Sequence, residues 1–110
     1  MSKPRPGGKD ANPLKEIDAV IHEPARLSIM AQLYVVESTD FLFLMRQTGL
    51  TFGNLSSHLS KLEAAGYVSV KKEFLRKKPH TMLRLTEKGR VALRKYMQSM
   101  KHLFTDLSDA

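Results

Sequence analysis

The sequence predicts a mainly α fold carrying one small β hairpin (α+β), organised as a winged helix-turn-helix. Three observations predict it. Apolar residues recur at helical spacing in four segments, two short alternating runs lie close together after residue 66, and a dense basic cluster separates those runs. At 110 residues the chain is one ordinary domain. Lys and Arg total 18 against 11 Asp and Glu, a net charge of +7. Residues 1–70 carry seven basic and seven acidic side chains, so the whole excess lies in the last 40 residues. A charge so localised favours a polyanionic partner.

The elements follow in order. Met1 to Pro13 (MSKPRPGGKDANP) is rich in Pro, Gly and basic residues and nearly devoid of apolar ones, so residues 1–13 are expected to form a flexible arm. The domain proper is expected over 14–110. Leu14, Ile17 and Ile21 step by three and four and predict a first helix. Pro24 suits the first position of a second, whose apolar set is Leu27, Ile29, Met30, Leu33 and Tyr34. Ser38-Thr39-Asp40 is a polar break with an N-cap before FLFLMRQT; the five apolar residues could form a buried strand, but the cap and Gly49 just past the end favour a short third helix.

Thr51 caps a fourth helix, whose apolar face is Phe52, Leu55, Leu59 and Leu62 and whose end is Gly66. The opposite face carries Asn54, Ser56, Ser57, Ser60 and Lys61: short, polar and nearly uncharged. A helix selected only for stability would carry Glu, Lys and Ala there. Tyr67 to Val70 and His80 to Thr86 alternate as strands do, with Leu83 and Leu85 inward, and Lys71, Lys72, Arg76, Lys77, Lys78 and Pro79 lie between them. This predicts a two-stranded hairpin with a basic tip, a wing over residues 71–80. A last helix, about 87–108, begins after Thr86 and would be roughly 30 Å long, more than the core needs. Leu93, Met100 and Leu107 are seven apart, with Tyr96, Met97, Leu103 and Phe104 between them, a seam suited to a partner subunit.

A helix-turn-helix followed by a β hairpin is the winged-helix order, and its chemistry suits DNA. The major groove admits one helix whose short polar side chains reach base edges. The cations Arg76, Lys77 and Lys78 can exchange counterions with an adjacent phosphate line or minor groove. TFGNLSSHLSKLEAAGYV (Thr51 to Val68), LRLTEKGR (Leu83 to Arg90) and EPARLSIMAQL (Glu23 to Leu33) resemble the recognition helix, wing and opening helix of ArsR/MarR-type winged-helix transcriptional regulators. The resemblance covers about Ile21 to Leu93. It implies a homodimer on operator DNA, joined through its first and last helices, with Thr51, Asn54, Ser56, Ser57, Ser60 and Lys61 facing the duplex. The expected function is therefore a sequence-specific regulator of double-stranded DNA, a repressor more often than an activator. Recognition helix 51–65 would lie in the major groove, with the wing beside it.

Other readings remain open at this level. A winged helix can serve as an interaction module for an acidic protein partner, and a basic domain can bind DNA or RNA without sequence preference. Arg84, Lys88 and Arg90 would extend the basic patch, and His58 would pack or touch phosphate. Asp18/His22 and His102/Asp106 have i, i+4 spacing and could offer metal ligands. They also read as ordinary helix-surface pairs, and no metal or cofactor is expected. The chain has no Cys, which excludes disulfides, thiolate metal sites and Cys nucleophiles, and with them inherited thiolate metal sensing. It has no phosphate-binding Gly loop, HExxH or GxSxG, and no enzyme is expected. The glycines read as turn and cap residues. A small-molecule effector is unidentified: the Phe41–Met45 run, with Tyr34 and the methionines, could line a pocket, but core packing explains it equally well. That five-residue run is the longest apolar stretch, far short of a membrane span, and the protein is expected to be cytoplasmic.

Overall fold

Asp18 decides how the described chain begins. Residues 13–109 are described by a computed structural model, and the arm expected over 1–13 falls outside it but for its last residue. Pro13–Glu16 forms one 3-10 turn instead of the first turn of a helix reaching Ile21. The Asp18 carboxylate accepts from the backbone N–H of Val20 at 2.9 Å and of Ile21 at 3.3 Å. That local bond offers the backbone a turn in place of a helix, the usual reason Asp is poor inside one. Ile17 and Ile21 still reach the core, because the turn delivers both to the same side.

Helix α1 (Pro24–Val36) has Pro at its start, as expected, and Glu23 as its cap, accepting from Arg26 N at 2.8 Å. It buries Ile29, Met30 and Leu33. Ser38–Asp40 forms a third strand, β1, that the expected two-stranded hairpin lacks. Three polar residues carry no alternating signal of their own; pairing with the wing makes them a strand. Asp40 also caps α2 (Phe41–Thr48), accepting from Phe43 N at 2.7 Å, and Gly49 ends α2 at φ 71°. Helix α3 (Phe52–Ala64) is capped by Thr51. It ends as Tyr67 N–H bonds Leu62 O and Gly66 N–H bonds Glu63 O, with Gly66 at φ 81°.

Strands β2 (Val68–Leu75) and β3 (Lys78–Leu85) are longer than their alternation suggests and absorb Lys71, Lys72 and Lys78 into the ladder. The sheet is antiparallel in the order β1-β3-β2, with Asp40 opposite Met82 and Val68 opposite Leu85. Helix α4 runs from Glu87 to Ser108 behind a Thr86 cap. Leu55, Leu59 and Leu62 of α3 meet Leu33, Leu44, Val68, Leu83, Leu85 and Leu93 in one core. Four helices on a three-stranded antiparallel sheet form a winged-helix fold.

Gly89 departs from its expected turn or cap role. It lies inside α4, where a Cβ would collide with the carbonyl oxygen of Tyr67. Thr86 closes the same corner, its hydroxyl donating to Gly66 O at 2.6 Å and its N–H to Tyr67 O at 3.0 Å. Absence of a side chain at 89 thus lets the long helix press against the root of the wing.

Candidate nucleic-acid interface

Helix α3 is held from beneath and from one flank. Leu55 and Leu62 are wholly buried, and Arg26 of α1 donates to His58 Nδ1 at 3.3 Å. Glu23 lies 3.9 Å from the same ring nitrogen. The backbone N–H of Arg26, donated to its carboxylate, holds Glu23 below the usual carboxylate range. His58 therefore packs, within a clamp between α1 and α3. The sequence gives no direct signal for its partners, because Arg26 lies 32 residues away.

Of the expected contact residues, Asn54, Ser57 and Lys61 are exposed and step by three and four along the outer face of α3. Ser60 is exposed and Ser56 half-buried, and both turn toward the wing, where they line a groove. Thr51 is exposed but partly committed, since its hydroxyl accepts from Asn54 N at 3.2 Å. Phe52 is the exception on the apolar face: it is 67% exposed. One turn ahead of Leu55 it overshoots the core and packs on Phe41, ring centroids 5.0 Å apart.

The groove between α2, α3 and the sheet encloses about 440 Å³. Leu59, Val70 and Leu83 line it together with Phe41 and Leu42, and Lys72, His80 and Thr81 stand on the wing side. Of the suggested effector pocket, only Phe41 and Leu42 reach this groove. Tyr34 is instead covered by Arg90, whose guanidinium carbon sits 5.3 Å from the ring centroid.

Arg76, Lys77 and Lys78 are all exposed, the first two forming the whole turn and the third opening β3. Arg76 and Lys77 have φ 53° and 67°. Two positive φ values are what a two-residue hairpin turn of type I′ requires, and Asn-Gly is its ordinary sequence. Arg84 is exposed on β3. Of the remaining expected patch residues, Lys88 is exposed with its ammonium 5.8 Å from the Tyr67 ring centroid, and Arg90 is half-buried with its guanidinium carbon 5.3 Å from that of Tyr34. Phe74 and Leu75, immediately before the turn, are 76% and 56% exposed. The sequence signal for them is slight: Phe74 keeps the alternation phase of Val68 and Val70.

Asp18 and His22 form no pair on a helix. Asp18 accepts from the Tyr67 hydroxyl, and His22 Nδ1 lies 2.8 Å from the Tyr96 hydroxyl. Burial and the neighbouring Asp18 carboxylate push the Tyr67 phenol up to about 12. His102 and Asp106 do pair on α4, at 3.7 Å and largely exposed. Among the described residues, no three metal-ligating side chains gather.

Residues 25–104 match the family model of the winged helix DNA-binding domain. The chain belongs to that family. An uncharacterized protein of Methanocaldococcus jannaschii is 37% identical over 84 residues, 76% of this chain and 91% of the relative. The transcriptional regulator homologue protein from Pyrococcus horikoshii OT3 superposes with a TM-score of 0.80 at 31% identity, covering 86% of this chain and 96% of its own. A protein assigned to the MarR family of transcriptional regulators, from Enterococcus faecalis V583, superposes at 0.65 with 26% identity, covering 88% and 83%. The winged-helix family is one of DNA-binding domains and not of enzymes, and the structural neighbours at 31% and 26% identity are transcriptional regulators, the second of the MarR family. No described helix is long and apolar enough to cross a membrane.

Proposed function

We infer that this winged helix acts as a cytoplasmic homodimer, reading specific double-stranded DNA and repressing transcription there. Helix α3 enters the major groove with Asn54, Ser57 and Lys61 toward base edges and the nearest phosphates. Thr51, Ser56 and Ser60 flank that face. Arg76, Lys77 and Lys78 grip the adjacent backbone or minor groove. The observation that carries this reading is the solvent face of α3. It is short, polar and open, over a wholly buried Leu55 and Leu62 that fix its orientation. Side chains so short approach base edges without obstruction, and a helix so anchored presents them reproducibly.

The turn adds support. Non-Gly residues in the left-handed region cost roughly 1–2 kcal/mol each. Arg and Lys at both such positions give up stability for charge at the tip, which a polyanion would repay. Dimerisation is favoured by Val91, Met97, Phe104 and Leu107, all more than 45% exposed along α4. The first segment, though not a helix, is tied to α4 through His22 and Tyr96, so a second copy seated on α4 would meet it as well.

Selection of bound sequences from a randomised duplex pool, followed by salt titration on the winners, tests the reading. The expected product is a pseudo-palindrome with half-sites about one helical turn apart. Asn54→Ala should change which sequence is recovered. Lys77→Ala should weaken binding evenly across sequences and reduce the slope of log affinity on log salt by about one unit. Recovery of no preferred sequence, with salt-insensitive binding, would favour an interaction module for an acidic protein instead.

A further inference from the structure

We propose that Phe74 and Leu75 form an apolar wedge at the end of the wing that enters the minor groove and opens a base step, bending the DNA. The proposal rests on the DNA-binding reading above and adds to it a deformation of the duplex. It starts from an exposure that the fold does not explain. Phe74 is 76% and Leu75 56% exposed, and every residue from Phe74 to Pro79 is solvent-facing. Among the described residues no helix covers this end of the hairpin, yet β2 and β3 stay paired to its last rung, Leu75 opposite Lys78. Two large apolar side chains are thus carried on a stiff ribbon, beyond the core that would ordinarily take them.

The surroundings select the occupant. Arg76, Lys77 and Lys78 follow directly, and Glu73 is the single acidic residue between 71 and 80. An apolar tip ringed by cations matches a hydrophobic base stack flanked by two phosphate rails. The minor groove is about 6 Å wide, too narrow for a two-stranded ribbon but open to side chains projecting from its end. Proteins that insert Phe or Leu between base steps kink the duplex by roughly 20–90° and gain contact area from the bend. Phe74 also lies on the same sheet face as Val70, Lys72 and Leu83, because strand residues alternate. Of these, Val70, Lys72 and Leu83 line the groove beside α3. Phe74 therefore projects on the side of the sheet that faces the recognition helix, and Leu75, the next residue along β2, on the opposite side, so the two flank the end of the ribbon.

The experiment uses the full chain and a duplex recovered from the randomised pool, labelled at both ends for energy transfer and carrying 2-aminopurine at successive flanking steps. Wild-type protein should shorten the end-to-end distance and raise 2-aminopurine fluorescence at one step per wing. Phe74→Ala and Leu75→Ala together should abolish both signals and weaken binding about tenfold, while Phe74→Leu retains the bend. Lys77→Ala should weaken binding and keep the bend. Both positions lie outside the core, so unchanged melting temperatures are expected. A double variant that bends the duplex as wild type does would overturn the wedge and leave the DNA-binding reading standing. Absence of any sequence-preferring binding by wild type would overturn both. Loss of affinity for anionic phosphatidylserine vesicles, with DNA bending intact, would reassign the tip to a membrane surface. A change in the sedimentation of free protein would reassign it to a second copy.

Discussion

At the residue scale two glycines with similar surroundings in sequence do opposite things. Both Gly53 and Gly89 sit in the first turn of a helix. At Gly89 a Cβ meets the Tyr67 carbonyl, and that oxygen cannot yield because it also accepts from Thr86 N–H. Gly89→Ala should therefore destabilise the fold by about 1–3 kcal/mol, read as a lower midpoint in urea with an unchanged slope. At Gly53 a Cβ meets nothing within 4 Å. Gly53→Ala should stabilise the fold by about 0.5–1 kcal/mol through helix propensity. Should that variant nonetheless bind selected duplexes more weakly, the bare backbone at 53 would be explained by a close approach to DNA. Neither behaviour was legible in the sequence, where each glycine suits a turn or a cap. Steric room at a single Cα is a tertiary fact. The outward face of Asn54, Ser57 and Lys61 was legible, because it is fixed by the same periodicity that buries Leu55 and Leu62.

At the element scale, legibility followed the length of the pattern. Helices α1, α3 and α4 carry apolar periods of three turns or more and the short α2 a cap and a Gly stop, and their boundaries lie close to those expected. The three polar residues of β1 carry no pattern and the outer half of the wing only the phase of Phe74, since their order comes from cross-strand pairing. The 3-10 turn before α1 shows the reverse failure. Its apolar spacing is helical, but the Asp18 side chain redirects the backbone. This turn is anchored by the bond from the Tyr67 hydroxyl to Asp18, and a pH dependence follows from it. The phenol is raised from its ordinary 10.0 to about 12 in the folded chain, so the folded state holds the proton more tightly than the unfolded one. The stabilisation is complete below pH about 10 and is lost as pH rises through about 12. Tyr67→Phe should remove that decline, at a cost near neutral pH of about 1 kcal/mol for the lost hydrogen bond, both measured by denaturant unfolding across pH. The wing's turn makes a second element-scale prediction. Replacing Arg76-Lys77 by Asn-Gly relieves two strained φ values and should raise the melting temperature. The same change should lower the salt slope of DNA binding by about two units.

At the scale of the whole molecule the question is what covers the far half of α4. Its buried residues, Gly89, Leu93 and Tyr96, all lie in the first ten positions, and no described residue after Met100 is buried. The helix nevertheless continues to Ser108, with Phe104 58% and Leu107 62% exposed. A terminal stretch of two turns gains little from propensity alone and ordinarily frays in water unless packing holds it. The exposed set is itself periodic: Met97, Phe104 and the half-buried Met100 and Leu103 recur at three- and four-residue steps, with Leu107 extending the line. A self-complementary stripe of this kind suits a two-fold partner, since each copy then covers the other with the same residues. Replacing Phe104 and Leu107 together by Glu should leave the monomer's core intact, because neither side chain belongs to it. In sedimentation, wild type should run at twice the 12.5 kDa chain mass and the double variant at the chain mass. The variant should also lose at least tenfold in affinity for the full pseudo-palindrome while binding an isolated half-site as wild type does. That split follows from effective concentration: pairing presents the second recognition helix at no further cost in translational freedom. Wild-type protein that stays at the chain mass, and binds one half-site as well as two, would show that α4 ends in water for some other reason.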